Sequence, residues 1–67
     1  MMLPIFKLGE TVYQKNADER YPGIVNGLMY RSETHITYFV RWPDGSEEPY
    51  MDFELSREWV KDYSASD

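Results

Sequence analysis

Tyr21, Trp42 and Asp44 are the residues of this 67-residue chain whose types suit a definite chemistry, the holding of a cation. An aromatic face attracts positive charge through its ring quadrupole, by about 2 kcal/mol when the pair is desolvated, and a neighbouring carboxylate adds a Coulomb attraction. Tyr50 stands just beyond the stretch that holds them and joins the candidate ligand-binding set. The opposing reading assigns Trp42 and Tyr38 to the core, Tyr21 to the end of the domain, and Tyr50 and Phe53 to core or rim, because so short a chain needs its rings for packing.

Other chemistries find less support. His35 is the single histidine, so paired-histidine metal sites and triads built on a second histidine are excluded within one chain. As a strand residue facing outward it reads as a solvated or hydrogen-bonded surface group. The acidic run "DGSEE" from Asp44 to Glu48, with Asp52 and Glu54 nearby, lacks the ordered ligand spacing of a Ca²⁺ loop. It reads instead as a solvated turn that discourages an edge strand from pairing with copies of itself. Paired carboxylates acting on a glycoside need a cleft between them, which a chain of this length hardly provides. No catalytic residue, metal or cofactor is expected, and the chain is not read as an enzyme.

Size sets the frame in which the rings must be placed. A domain of this length buries only about 60% of the surface its unfolded chain exposes, so the core must be thin. Eleven aromatic residues, six of them tyrosine, answer that need. The absence of cysteine removes disulfides and thiolate chemistry and points to a reducing compartment, the cytoplasm. "MMLPIFKLGE" holds too short an apolar run for a signal peptide or membrane span, and Pro4 and Gly9 interrupt it.

The net charge of −5 is unevenly spread. Residues 1–43 hold five Lys or Arg against four Asp or Glu, whereas residues 44–67 hold two against eight. Phosphate-backbone binding rests on a basic face that releases counterions, so nucleic acid is disfavoured and a basic protein or peptide is favoured. The best case for nucleic acid is a stripe of Lys15, Arg20, Arg31 and Arg41 with Tyr13 and Phe39 as stacking platforms for a single strand.

Turn signals at short intervals separate runs rich in Val, Ile, Tyr, Thr and Phe, the pattern of an antiparallel meander. A first strand is predicted from about Glu10 to Lys15, then a polar loop, Asn16 to Arg20. A second strand runs from Tyr21 or Gly23 to Arg31 and a third from His35 to Trp42, joined through Ser32 to Thr34. In the third, Ile36, Tyr38, Val40 and Trp42 share the inward face; His35, Thr37, Phe39 and Arg41 share the other. Pro43, Asp44 and Gly45 form a turn with a mechanism: fixed φ, a side chain that bonds its own backbone, and tolerance of positive φ. A fourth strand follows from about Glu47 to Met51. The tail admits two readings, a helix with Leu55, Trp59, Val60 and Tyr63 at helical spacing and Ser56 as N-cap, or, the one preferred, a helical turn at "DFEL" and a fifth strand at "EWVKD"; residues 1–6 and 64–67 are expected to fray. Short strands in so small a domain most economically close into a strongly curved barrel, which hides their edges, and Gly23 and Gly27 suit the bend.

The order of these features resembles the Tudor and SH3-like small-barrel group. "KLGETVY" (Lys7 to Tyr13) is similar to that group's opening "GD-x-V" strand, "YPGIV" (Tyr21 to Val25) to its second strand, and "YFVRWPDG" (Tyr38 to Gly45) to its "Y-x-V-x-F-x-D-G". Glu54 and Leu55 fall where such barrels have a helical turn before the last strand. The resemblance spans roughly Lys7 to Val60. It implies an all-β, SH3-like or Tudor-like barrel of about five antiparallel strands with a short helical turn near the C-terminus, forming one domain over residues 1–67. It also implies a recognition domain in which Tyr21, Trp42 and Asp44, with Tyr13, stand where aromatic walls and an acidic partner hold methylated Lys or Arg.

The expected function is therefore a non-enzymatic binding or adaptor module for a protein or peptide segment, basic or methylated. Two alternatives stand beside it. One is a structural or assembly subunit that forms a homo-oligomer through Phe39, Met29 and Met51 on outward faces; the other is single-stranded nucleic-acid binding.

Overall fold

The computed structural model describes residues 3–59. Its strands are β1 (Thr11–Gln14), β2 (Gly23–Ser32), β3 (His35–Arg41), β4 (Glu47–Tyr50) and β5 (Leu55–Ser56), with one 3-10 turn, Asp52–Glu54, before the last. All pairings are antiparallel, and the sheet order is β4-β3-β2-β1-β5. No helix among the described residues is long and apolar enough to cross a membrane.

Alternation along β3 builds the core. Ile36, Tyr38 and Val40 are buried and join Val12 of β1, Val25 of β2, Tyr50 of β4 and Leu55 of β5, with Trp42 packed against them. Of the opposite face, His35 and Arg41 are exposed as the period-two pattern predicts, while Thr37 is buried. Its hydroxyl accepts a hydrogen bond from Nε of Arg31 at 3.3 Å, so a long side chain on the neighbouring strand gives the buried polar group of this face a partner.

Two devices bend the sheet. The β2–β3 register shifts between Val25 and Gly27 and again between Tyr30 and Ser32, and such bulges kink a strand and increase its twist. The β3–β4 connection closes when the Gly45 amide donates to the Trp42 carbonyl at 2.9 Å and the Trp42 amide to the Ser46 carbonyl at 2.8 Å, with Gly45 at φ +91°. Pro43, Asp44 and Gly45 thus do what their types predict.

Three expectations are corrected. The sheet does not close into a barrel: β4 and β5 are its two edges, four and two residues long, and no ladder joins them. Strands so short have few groups left to pair, and Pro49 in β4 lacks the amide a ladder would use. The fifth strand lies at Leu55–Ser56, ahead of the predicted "EWVKD"; Glu58 and Trp59 are in no strand, and residues 60–62 and 64–67 lie outside the described residues. The last strand begins early because the 3-10 turn ends at once, with Leu55 already extended and buried.

Third, Phe6 falls within the segment expected to fray yet is 4% exposed and packs edge-on against Tyr38 at 5.3 Å between ring centroids, while residues 1 and 2 lie outside the described residues. The Ile5 amide donates to the Tyr38 hydroxyl at 3.0 Å, so the buried tyrosine keeps a polar partner. Arg57 fastens this segment: its guanidinium lies over the Phe6 ring at 4.9 Å and donates to the Glu10 carboxylate and the Ile5 carbonyl.

Packing at the start of β2 is unusually close. A Cβ on Gly23 would stand 2.5 Å from Cγ1 of Val40 and 2.7 Å from Cζ3 of Trp42. Gly23→Ala is expected to destabilise the fold by about 1–3 kcal/mol, since both neighbours belong to the packed interior and must move. Urea unfolding followed by tryptophan fluorescence measures this.

Glu10 generates a second expectation. The Lys7 amide, and after it the Arg57 guanidinium, hold the Glu10 carboxyl below the ordinary glutamate range. A carboxyl whose pKa falls on folding contributes stability that is present above its unfolded pKa and is lost as the pH drops through the folded value. Glu10→Gln should therefore lower stability near neutral pH, by no more than about 1 kcal/mol for so exposed a pair, and make the acid side of the stability curve shallower. Urea midpoints measured across the acid range check it.

Candidate functional site

All five residues singled out in the sequence border one cleft of about 580 Å³. Tyr13 comes from β1, Tyr21 from the segment before β2, Trp42 and Asp44 from the β3–β4 connection, and Tyr50 from β4. They differ in how they are held. Tyr13 and Tyr50 are buried at 7% and 9%, Trp42 is half-buried, and Tyr21 is 54% exposed. Trp42 and Tyr38 do serve the core, as the packing reading expects, but Trp42 keeps a face on the cleft while Tyr38 does not. Phe53, assigned to core or rim, is 66% exposed and lies elsewhere, bordering a separate small pocket together with His35 and Met51.

The back of the cleft is a hydrogen-bonded corner. Trp42 and Tyr50 meet nearly at right angles, 88° between planes with centroids 5.7 Å apart. The Trp42 indole N–H donates to the Tyr50 hydroxyl at 3.1 Å, and that hydroxyl donates to Glu48 at 3.0 Å. Burial, and then the bond to Glu48, pushes the Tyr50 hydroxyl pKa up, so it remains a donor at neutral pH. Across the cleft the Tyr21 hydroxyl donates to Glu19 at 2.5 Å, which raises the pKa of that tyrosine too.

Asp44 is held by its own turn. One oxygen accepts from the Ser46 hydroxyl at 2.7 Å and from the Ser46 amide at 2.9 Å, and these bonds lower its pKa. The carboxylate is therefore charged at neutral pH, at the mouth of a cleft walled by rings. Arg20 stands beside this wall without lining the cleft: its guanidinium lies 5.2 Å from the Tyr13 ring centroid and donates to the Tyr13 hydroxyl at 2.8 Å.

Sequence reasoning missed three lining residues of consequence. Trp59 adds a fifth ring, positioned by an indole hydrogen bond to the Ala17 carbonyl at 3.3 Å. Glu19 and Glu48 add two carboxylates to Asp44, and among the described residues the cleft lining holds no Lys, Arg or His. Glu48 was signalled by its place two residues before Tyr50, where the two side chains share one side of a strand. Trp59 had no such signal, because its position depends on where the preceding strand ends.

The remaining candidates fall elsewhere. His35 is exposed and bonds Ser32 and Thr34. Arg31 is tied to Thr37, and Arg41 stands opposite Glu47 in the β3–β4 ladder; neither lines the cleft. Among the described residues no group of three His, Cys, Asp or Glu is placed to hold a metal ion. Comparison with known protein families, with characterised proteins and with solved structures finds no match for this chain.

The corner can be tested directly. Tyr50→Phe keeps the ring but leaves the Trp42 indole N–H without its acceptor, a loss of about 1–2 kcal/mol at a partly buried site. The Trp42 indole proton should then exchange faster with solvent in NMR spectra.

Proposed function

We propose that this chain is a non-enzymatic binding module whose cleft receives a cationic side chain from a partner protein or peptide, a basic or methylated segment. One observation carries the reading: five rings and three carboxylates border a single cleft, with no basic side chain in its lining among the described residues. A cation entering it meets ring faces and negative charge together, each of which favours it and disfavours an anion. The strand order β4-β3-β2-β1-β5, with a long bulged β2, supports an SH3-like or Tudor-like arrangement, in which the same end of the sheet would carry the site.

Single-stranded nucleic acid is less well supported. Of the four cations of the proposed stripe, Lys15, Arg20, Arg31 and Arg41, Arg20 is already bonded to Tyr13 and Arg31 to Thr37, and Arg41 stands opposite Glu47 across the ladder, which leaves less positive charge for a phosphate backbone. Assembly draws on a different observation. Ile24 and Met29 of β2 are 41% and 43% exposed, Phe39 is half-buried against Gly27, and Met51 is half-buried. A mass in solution that rises with concentration would favour that second reading.

Tyr21 offers the cleanest test because it lines the cleft without belonging to the core. Tyr21→Ala should leave the unfolding midpoint nearly unchanged and weaken binding of a lysine- and arginine-rich peptide by about tenfold, the loss of one ring from around a cation. Titration followed by NMR shifts of the Trp42 and Trp59 indole protons reads this. Unaltered affinity would remove the cleft from the interaction.

A further inference from the structure

Among cations, the chemistry of the lining discriminates further. Each of the three carboxylates uses one oxygen internally: Glu19 accepts from Tyr21, Glu48 from Tyr50, and Asp44 from Ser46 twice. The second oxygen of each accepts no hydrogen bond among the described residues. Meanwhile the Tyr21 and Tyr50 hydroxyls and both indole N–H groups donate within the protein. The lining therefore offers a ligand flat ring faces and a surplus of charged acceptors.

We infer that the cleft is built for a guanidinium, an unmethylated arginine side chain of the partner, in preference to a quaternary ammonium. This rests on the cation-binding reading above and narrows it. A guanidinium carries five N–H donors in a rigid planar fork, so it stacks on a ring and reaches more than one carboxylate at once. A primary ammonium has three donors but no plane to stack. A trimethylated ammonium has no donor at all, and the open carboxylate oxygens gain nothing from it beyond a screened Coulomb attraction.

The chain itself meets the same chemistry twice. Arg57 stacks on Phe6 while bonding the Glu10 carboxylate, and Arg20 lies over Tyr13 while bonding its hydroxyl. Both cation-over-ring contacts among the described residues are made by arginine, although Lys7 and Lys15 are also exposed. Tyr13 is a lining residue, so one ring of the cleft wall already holds a guanidinium.

The experiment uses the full chain and three blocked pentapeptides that differ only in a central arginine, lysine or trimethyllysine. The arginine peptide should bind about tenfold tighter than the trimethyllysine peptide, the scale of added charge-assisted hydrogen bonds, with shifts at the Trp42 and Trp59 indole protons. The double variant Glu19→Gln, Asp44→Asn changes two exposed side chains and should bring the two affinities to within about twofold, its fold verified by thermal melting. Trimethyllysine binding as tightly as arginine would overturn the guanidinium assignment and leave the cation cleft standing. An arginine preference unchanged in the double variant would overturn it as well. No indole shift with any of the three peptides would remove the cation cleft itself.

Discussion

The indole of Trp42 occupies the space beside Gly23 where any other residue would place a side-chain carbon, and much of the structure follows from that contact. A chain of 67 residues cannot maintain a core and a separate binding wall, because a domain of this size buries only about 60% of its unfolded surface. Trp42 therefore serves both. One part of the ring packs on Gly23 at the start of β2, and its N–H anchors Tyr50, whose hydroxyl in turn engages Glu48. The cleft's back wall is thus the outer side of the core, and its shape is fixed by packing that folding requires anyway.

The same economy explains how the core stays dry without a closed barrel. The sheet keeps two edges, and what covers the interior comes from outside it: Phe6 lies against Tyr38, with the Arg57 guanidinium over the Phe6 ring. Arg57 bonds both a side chain and a backbone carbonyl of this segment, so the cover is tied at two points. Among the described residues no buried side-chain polar atom lacks a partner. For a thin domain this matters, since one unpaired buried group would consume a large part of a small stability.

How much of this was legible in the sequence depends on whether local or distant contacts decide each feature. The inward set Ile36, Tyr38, Val40 and Trp42, and the turn at Pro43 to Gly45, follow from strand periodicity and backbone preference, which act within a few residues. The convergence of Tyr13, Tyr21, Trp42, Asp44 and Tyr50 on one cleft was reachable because antiparallel neighbours bring strand ends together. Phe6 was not legible: a ring between Pro4 and Gly9 has no period to announce burial, and its partners lie more than thirty residues away in Tyr38 and Arg57. The early end of β5 and the place of Trp59 were hidden for a related reason. A two-residue strand carries no pattern, and its position is set by the 3-10 turn before it, where the Glu54 side chain accepts the Met51 amide at 2.8 Å and Glu54 returns its own amide to the Met51 carbonyl at 3.0 Å.

The Arg57 tie also joins two parts of the chain far apart in sequence. Because its guanidinium reaches the Ile5 carbonyl, the segment before β1 is held within one side chain's length of the residues that follow β5. A pull on either segment is therefore passed to the other across the sheet rather than along the chain.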